Sequence, residues 1–224
     1  MRQFTFYCIG AALMAMCPAV HADTFTFNAD PFAGTPVLNV PGRQIVGGED
    51  FISFSIANDT FSLDANVFGV DPAIHFASGS AATLPTSGVN VVVLQDFDND
   101  ANPLTPFGAG QAADLIASRI TTDEPGFFIY FNQSLDLPRL VYSTDLGSSD
   151  ADLKILARIL NLNGQEGRNA MPTFTAENFE ITSASPVPEP SSTVMILSML
   201  AACLYILRRK TRSPRTIEAA NQRS

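Results

Sequence analysis

Between Thr24 and Ile181 the dominant spacing of the apolar residues is every second position, that of strands that bury one face. In Phe51-Ile52-Ser53-Phe54-Ser55-Ile56 this places Ile52, Phe54 and Ile56 together, and Phe61, Leu63, Ala65 and Val67 repeat the pattern after the Asn58-Asp59 turn. Aromatic and branched side chains dominate both stretches, as a half-buried pleated surface requires. Val89 to Leu94 is almost continuously apolar and reads as a central strand covered on both faces. Phe127 to Phe131 and Leu140 to Ser143 follow as strands, with Pro125-Gly126 and Leu137-Pro138 as breaks. Thr24 to Asn28 and Phe174 to Ile181 supply strands at the two ends.

Two segments depart from that period. Gly108 to Ile120 carries Ala112, Ile116 and Ile120 at helical spacing and predicts one short helix across the sheet. Ser149 to Leu160 fits two patterns. Leu153, Leu156, Ala157 and Leu160 suit a helix capped by Ser149 and Asp152, whereas Leu153, Ile155, Ala157 and Ile159 alternate as a strand would. The strand is favoured, because its neighbours are strands and Asn161 to Gly164 has the look of a hairpin turn. The expectation is a mainly β fold: a single β-sandwich or jelly-roll-like domain with one short helix, spanning residues 23–185. Its core is expected to hold Val91, Val93, Phe128, Tyr130, Leu153 and Ile155.

Both ends of the chain read as membrane-directed. Arg2 precedes an apolar stretch from Phe4 to Met16, and Val20-His21-Ala22 offers the modest side chains that a signal peptidase reads. Residues 1–22 are therefore expected to form a signal peptide cut after Ala22, leaving Asp23 as the mature start. Cys17 would serve a lipoprotein, but Met16 before it is too large for the usual lipobox. At the other end, Pro186-Val187-Pro188-Glu189-Pro190 blocks helix and sheet alike and marks a stiff spacer over 186–190. Ser191 to Leu207 follows with 17 uncharged residues. As a helix they span about 25 Å, the short end of what crosses a bilayer. Arg208-Arg209-Lys210-Thr211-Arg212 would then hold residues 208–224 in the cytoplasm.

Val187-Pro188-Glu189-Pro190-Ser191-Ser192, the apolar span and Arg208-Arg209-Lys210 together resemble the PEP-CTERM sorting signal of Gram-negative bacteria. The same segment is sometimes labelled an ice-binding protein C-terminal domain, a label that describes the anchor and implies no ice binding. The resemblance implies export across the inner membrane, with signal peptidase and an exosortase-type processing enzyme as partners. The protein would be membrane-anchored first, then at the cell surface or extracellular once processed. Ser213 to Ser224 continue past the point where such signals usually end, so permanent anchoring is the alternative. The stretch from Val91 to Phe179 also resembles a recurrent PEP-CTERM ectodomain of no assigned activity. It does so through Asp96-Phe97-Asp98-Asn99-Asp100, Thr105-Pro106-Phe107-Gly108, Gly126 to Asn132 and Leu137-Pro138-Arg139-Leu140. That likeness implies an all-β exported domain and supplies no chemistry.

Charge narrows the partners. The whole chain carries −9, but the Asp23–Glu189 region keeps 6 basic against 21 acidic residues, close to −15. Such a surface repels nucleic acid and anionic lipid, and suits divalent cations or neutral polysaccharide. The 3 cysteines, Cys8, Cys17 and Cys203, all lie in the terminal segments. The exported domain thus has neither a disulfide nor a cysteine metal site and must cohere by packing.

Residues that carry chemistry are sparse. Asp96, Asp98 and Asp100 alternate directly after a strong strand, and alternate carboxylates in a loop can converge on calcium, with Asn99 and Asn102 adding oxygens. The EF-hand pattern is not met, since Ala101 stands where glycine is needed and Phe107 where the closing glutamate belongs. A solvated acidic turn is the competing reading. His75 is the one histidine between Asp23 and Glu189; Asp71 and Ser78 or Ser80 lie near it, but Phe76-Ala77-Ser78-Gly79-Ser80 is no nucleophile elbow. No phosphate loop, dinucleotide fingerprint or zinc spacing occurs. The expectation is a non-enzymatic envelope or matrix protein, a structural module or one that binds polysaccharide. The alternative is a secreted hydrolase acting on polysaccharide through acidic residues.

Overall fold

The computed structural model describes residues 21–183 apart from 38, 39 and 103. The apolar stretch before residue 21, the Val187–Pro190 motif, the Ser191–Leu207 span and the basic tail lie outside the described residues. Among the described residues no helix is long and apolar enough to cross a membrane.

The strands in chain order are β1 (Thr24–Phe27), β2 (Ile45–Val46), β3 (Asp50–Ile52), β4 (Thr60–Asp64), β5 (Phe76–Gly79), β6 (Val91–Leu94), β7 (Gly126–Asn132), β8 (Leu137–Ser143), β9 (Leu153–Ile159) and β10 (Phe179–Thr182). They make two sheets. The larger runs β2-β9-β8-β7-β6-β5, with β3 against β9 farther along the same edge as β2; the smaller runs β1-β4-β10. The domain is mainly sheet, as the alternation requires. Among the described residues, however, β7–β8 and β8–β9 are the antiparallel pairs and the other six pairings are parallel. A jelly-roll path runs its neighbours antiparallel, so the jelly-roll alternative does not describe this connectivity. Parallel neighbours need a crossover that returns the chain to its starting end. The segments 80–90 and 95–125 provide it here, the second containing the expected short helix.

Alternation explains why the large sheet is apolar on both sides. Val91, Val93, Phe127, Ile129 and Phe131 belong to one core, shared with Phe61, Leu63, Phe179 and Ile181 of the small sheet. Its centre is a set of rings: Phe54 stacks on Phe61 at 4.2 Å, and Phe174 and Phe179 close on them at 5.8 and 5.6 Å. Val92, Leu94, Phe128, Tyr130, Leu153 and Ile155 point the other way, into a second core with Ala112 and Ile116 of the covering helix. All six expected core residues are at most 1 % exposed, but they divide between the two cores: Val91 and Val93 in the first, the other four in the second.

The ambiguous segment is the strand β9, and its ambiguity has a structural cause. Leu140 opposes Ala157, yet Val141 opposes Ile155, so Leu156 is one residue too many and the ladder bulges there. Leu153 and Ile155 therefore serve the helix-side core while Ala157 and Ile159 serve the ring core. Period two holds on each side of Leu156 and changes face across it.

Three α-helices occur among the described residues where one helix was expected: α1 (Ala65–Phe68), α2 (Ala109–Ala117) and α3 (Gly164–Ala170). The second is the expected one. The first replaces the end of a predicted strand, because Asp64 accepts from the N–H groups of Asn66 and Val67 at 2.9 and 3.3 Å and Gly69 closes the turn at φ 65°. The third begins where a hairpin turn was expected. Gly167 lies so close to Leu162 O that a Cβ would meet it at 2.1 Å, which requires glycine there. Leu137-Pro138, expected as a break, lies inside β8. Pairing with β9 starts only at Arg139, so Pro138 has a side free of ladder bonds.

Candidate functional site

The acidic loop after β6 does not gather its carboxylates. Asp96 Oδ2 accepts from Ala81 N at 2.6 Å, and Asp98 Oδ1 accepts from Asp100 N and Ala101 N at 3.1 and 3.2 Å. Asp100 accepts from Asn102 N at 2.9 Å and from the Thr105 hydroxyl at 2.6 Å; the Thr105 bond holds its carboxyl below the usual range. Asp98 and Asp100 thus cap the backbone just ahead of them, the turn chemistry that competes with metal binding, while Asp96 is tied to the backbone of Ala81, fifteen residues earlier. Among the described residues no group of three Asp, Glu, His or Cys side chains is placed to hold a metal ion.

His75 lines an open cleft of about 380 Å³ with Gly69, Asp71, Asn90, Glu124 and Pro125. Its rim is shaped by Asn90, which is 4 % exposed: its Oδ1 accepts from His75 N at 2.8 Å, and its Nδ2 donates to Asp71 O and Ala73 O. Ser78 and Ser80 do not join it. Ser78 Oγ accepts from Gln95 Nε2 at 3.0 Å, and Ser80 Oγ lies 3.4 Å from Thr83 Oγ1. Of the remaining sequence candidates, Ala22 is exposed just ahead of β1, and Val187, Pro188, Glu189 and Pro190 lie outside the described residues.

A different constellation converges at the edge of the large sheet. Strand register puts Tyr130, Arg139, Arg158 and Phe51 in one row across β7, β8, β9 and β3. Glu49, from the Gly47-Gly48 turn just before β3, bridges both arginines through Oε1, accepting from Arg139 Nη2 and from Arg158 Nε at 2.5 Å. The turn is fixed by Lys154 Nζ, which donates to Gly47 O at 2.6 Å, and by Gly48 at φ 86°. Burial alone would raise the Glu49 carboxyl. The N–H of its own residue and the two guanidinium groups outweigh that and bring it to about 2. At the inner end of the row Tyr130 is fully buried, accepts from Asn132 Nδ2 at 3.0 Å, and has its phenol pushed up by burial.

Exposure rises along the row. The Glu49 side chain is 6 % exposed, Arg139 13 %, Arg158 29 % and Phe51 64 %. The Arg158 guanidinium lies 5.1 Å from the centroid of the Phe51 ring, and Ile45 adds a second exposed apolar side chain on the same edge. Around the same turn a smaller cleft of about 220 Å³ is lined by Asp30, Gly48, Asp50, Phe68 and Lys154. The rim therefore offers an open aromatic surface beside planar donors, within an otherwise acidic domain. Glu49 is ionised throughout the physiological range, so it can accept hydrogen bonds but cannot serve as a general acid.

None of these rim residues was singled out in the sequence as part of a site. A usable signal was present: Arg139 and Arg158 interrupt apolar strands, and a charge inside a strand buried on both faces calls for a partner.

No family model matches the chain, and no characterised protein or solved structure matches it either.

Proposed function

We propose that this is an exported cell-envelope or matrix protein whose β domain is a non-enzymatic module binding polysaccharide through the β3 edge. The observation that carries the reading is the in-register row Tyr130–Arg139–Arg158–Phe51, which ends in an exposed ring backed by a guanidinium. A sugar ring stacks its C–H face on such an aromatic surface, and planar guanidinium donors bracket its hydroxyls. A neutral glycan also carries no charge for the acidic surface of the domain to repel. A glycan-binding screen of the Asp23–Ser224 chain, repeated with Phe51→Ala, tests this. Binding that survives the substitution unchanged defeats it.

The sorting reading completes the proposal. It has cleavage after Ala22, recognition of Val187–Pro190 by an exosortase-type enzyme, and Ser191–Leu207 in the inner membrane with Arg208–Ser224 in the cytoplasm. The motif order and the six basic residues after the span support it. Mature protein from cells is expected to lack the basic tail. A tail exposed outside intact cells overturns the topology. For architecture we read a two-sheet sandwich, supported by the ring core that both sheets share.

A hydrolase is the second reading, favoured by the cleft in which Asp71 and Glu124 flank His75. Release of reducing ends from polysaccharide, lost in Glu124→Gln, would establish it.

A further inference from the structure

We infer that Asp59 is the docking site for the amino terminus created by cleavage after Ala22, so that export processing completes a buried ion pair. Asp59 is 4 % exposed, and among the described residues its carboxylate takes part in no ion pair. Its Oδ2 accepts from Ser55 N at 2.7 Å, and its Oδ1 accepts from Asp23 N at 2.9 Å. A buried carboxylate held only by neutral N–H groups is costly, and a cation at one of those donors removes the cost. Asp23 N is that donor, and it is the nitrogen of the scissile bond.

The chemistry balances. Hydrolysis of Ala22–Asp23 breaks the C–N bond; the water oxygen goes to the Ala22 carbonyl as carboxylate, and both water hydrogens go to nitrogen. Asp23 N then becomes an ammonium, without moving, at hydrogen-bond distance from Asp59. The surroundings already fix that position. Thr60 N donates to Asp23 O at 3.0 Å, β1 pairs in parallel with β4 from Thr24↔Thr60, and buried Asn178 donates from Nδ2 to Asp59 O and Ile56 O at 3.1 and 2.7 Å. His21, 3.4 Å from the Asp23 carboxylate, leaves with the signal peptide. The precursor therefore holds the same hydrogen bond without the charge, and the mature protein holds both.

The inference rests on the cleavage reading, and the experiment separates the two. Asp23–Ser224 is released from an amino-terminal fusion so that it begins at Asp23, and is compared in detergent with the same chain carrying an uncharged Gly-Ser-Ala extension. Both are prepared with Asp59 and with Asp59→Asn. The extension is expected to lower the folding constant by about tenfold when Asp59 is present, the scale of a charge-assisted hydrogen bond, and to change it little in Asp59→Asn. An extension without effect on the native sequence overturns the docking, whether or not Asp59→Asn folds. Amino-terminal sequencing of the protein exported by cells decides the other half. A mature start other than Asp23 overturns the cleavage reading and the inference with it.

Discussion

The turn before β3 and the loop after β6 both carry carboxylates, and they use them in opposite ways. At Asp96, Asp98 and Asp100 the acids are dense in sequence, and each binds backbone N–H groups, two of them only a few residues ahead. At Glu49 a single acid meets Arg139 and Arg158, which lie 90 and 109 residues away in the chain. Local density produced turns; strand pairing produced a charge network with an exposed aromatic edge. What a carboxylate can do here depends on the register that delivers its partners rather than on how many acids stand beside it.

The sharpest break of that comparison is removal of Glu49. Glu49→Leu leaves two guanidinium groups facing each other in a partly buried site and is expected to cost about 3–5 kcal/mol in urea unfolding. A loss below about 1 kcal/mol would show that the arginines reach solvent without it. Acid titration gives the next largest effect. The Glu49 carboxyl falls to about 2 in the folded state, so its contribution is complete above the unfolded value near 4.5 and is lost as pH falls through about 2. That amounts to about 3 kcal/mol, and Glu49→Gln is expected to flatten the pH dependence of stability between about pH 5 and pH 2. Phe51→Ala is expected to shift stability by no more than about 1 kcal/mol, since the ring is mostly exposed, while abolishing glycan binding. Loss of both would make the ring structural. The smallest effects belong to the acidic loop. Asp98→Asn is expected to cost about 0.5 kcal/mol, because the amide oxygen still accepts the turn bonds. Millimolar calcium is expected to leave the melting temperature of the native chain unchanged, whereas a rise of several degrees would restore the calcium reading and erase the contrast between the two regions.

The sequence made the long apolar strands legible, but not the short β2 and β5. β6 and β7 follow from their unbroken apolar runs, and α2 from the spacing of Ala112 and Ile116. It hid whatever depends on partners far along the chain. The parallel pairing of β5, β6 and β7 cannot be read from alternation, which is the same for either direction. The bulge at Leu156 broke a pattern that is regular on both sides of it. The rim was invisible for a related reason: Phe51, Arg139 and Arg158 become neighbours only once β3, β8 and β9 are placed in register. The acids of the loop, by contrast, were visible at once, and their visibility overstated their reach.

The small sheet carries a consequence for how the molecule can be made. β4 is its middle strand, flanked by β1 from one end of the domain and β10 from the other. Phe61 opposes Phe25 on one side and Phe179 on the other, so its environment is complete only when residues more than a hundred positions apart are present together. A chain still emerging from a ribosome or a translocation channel, with residue 179 not yet released, has an open β4 edge and an unfinished ring core. The β4 edge is therefore paired on both sides only when the final strand is present.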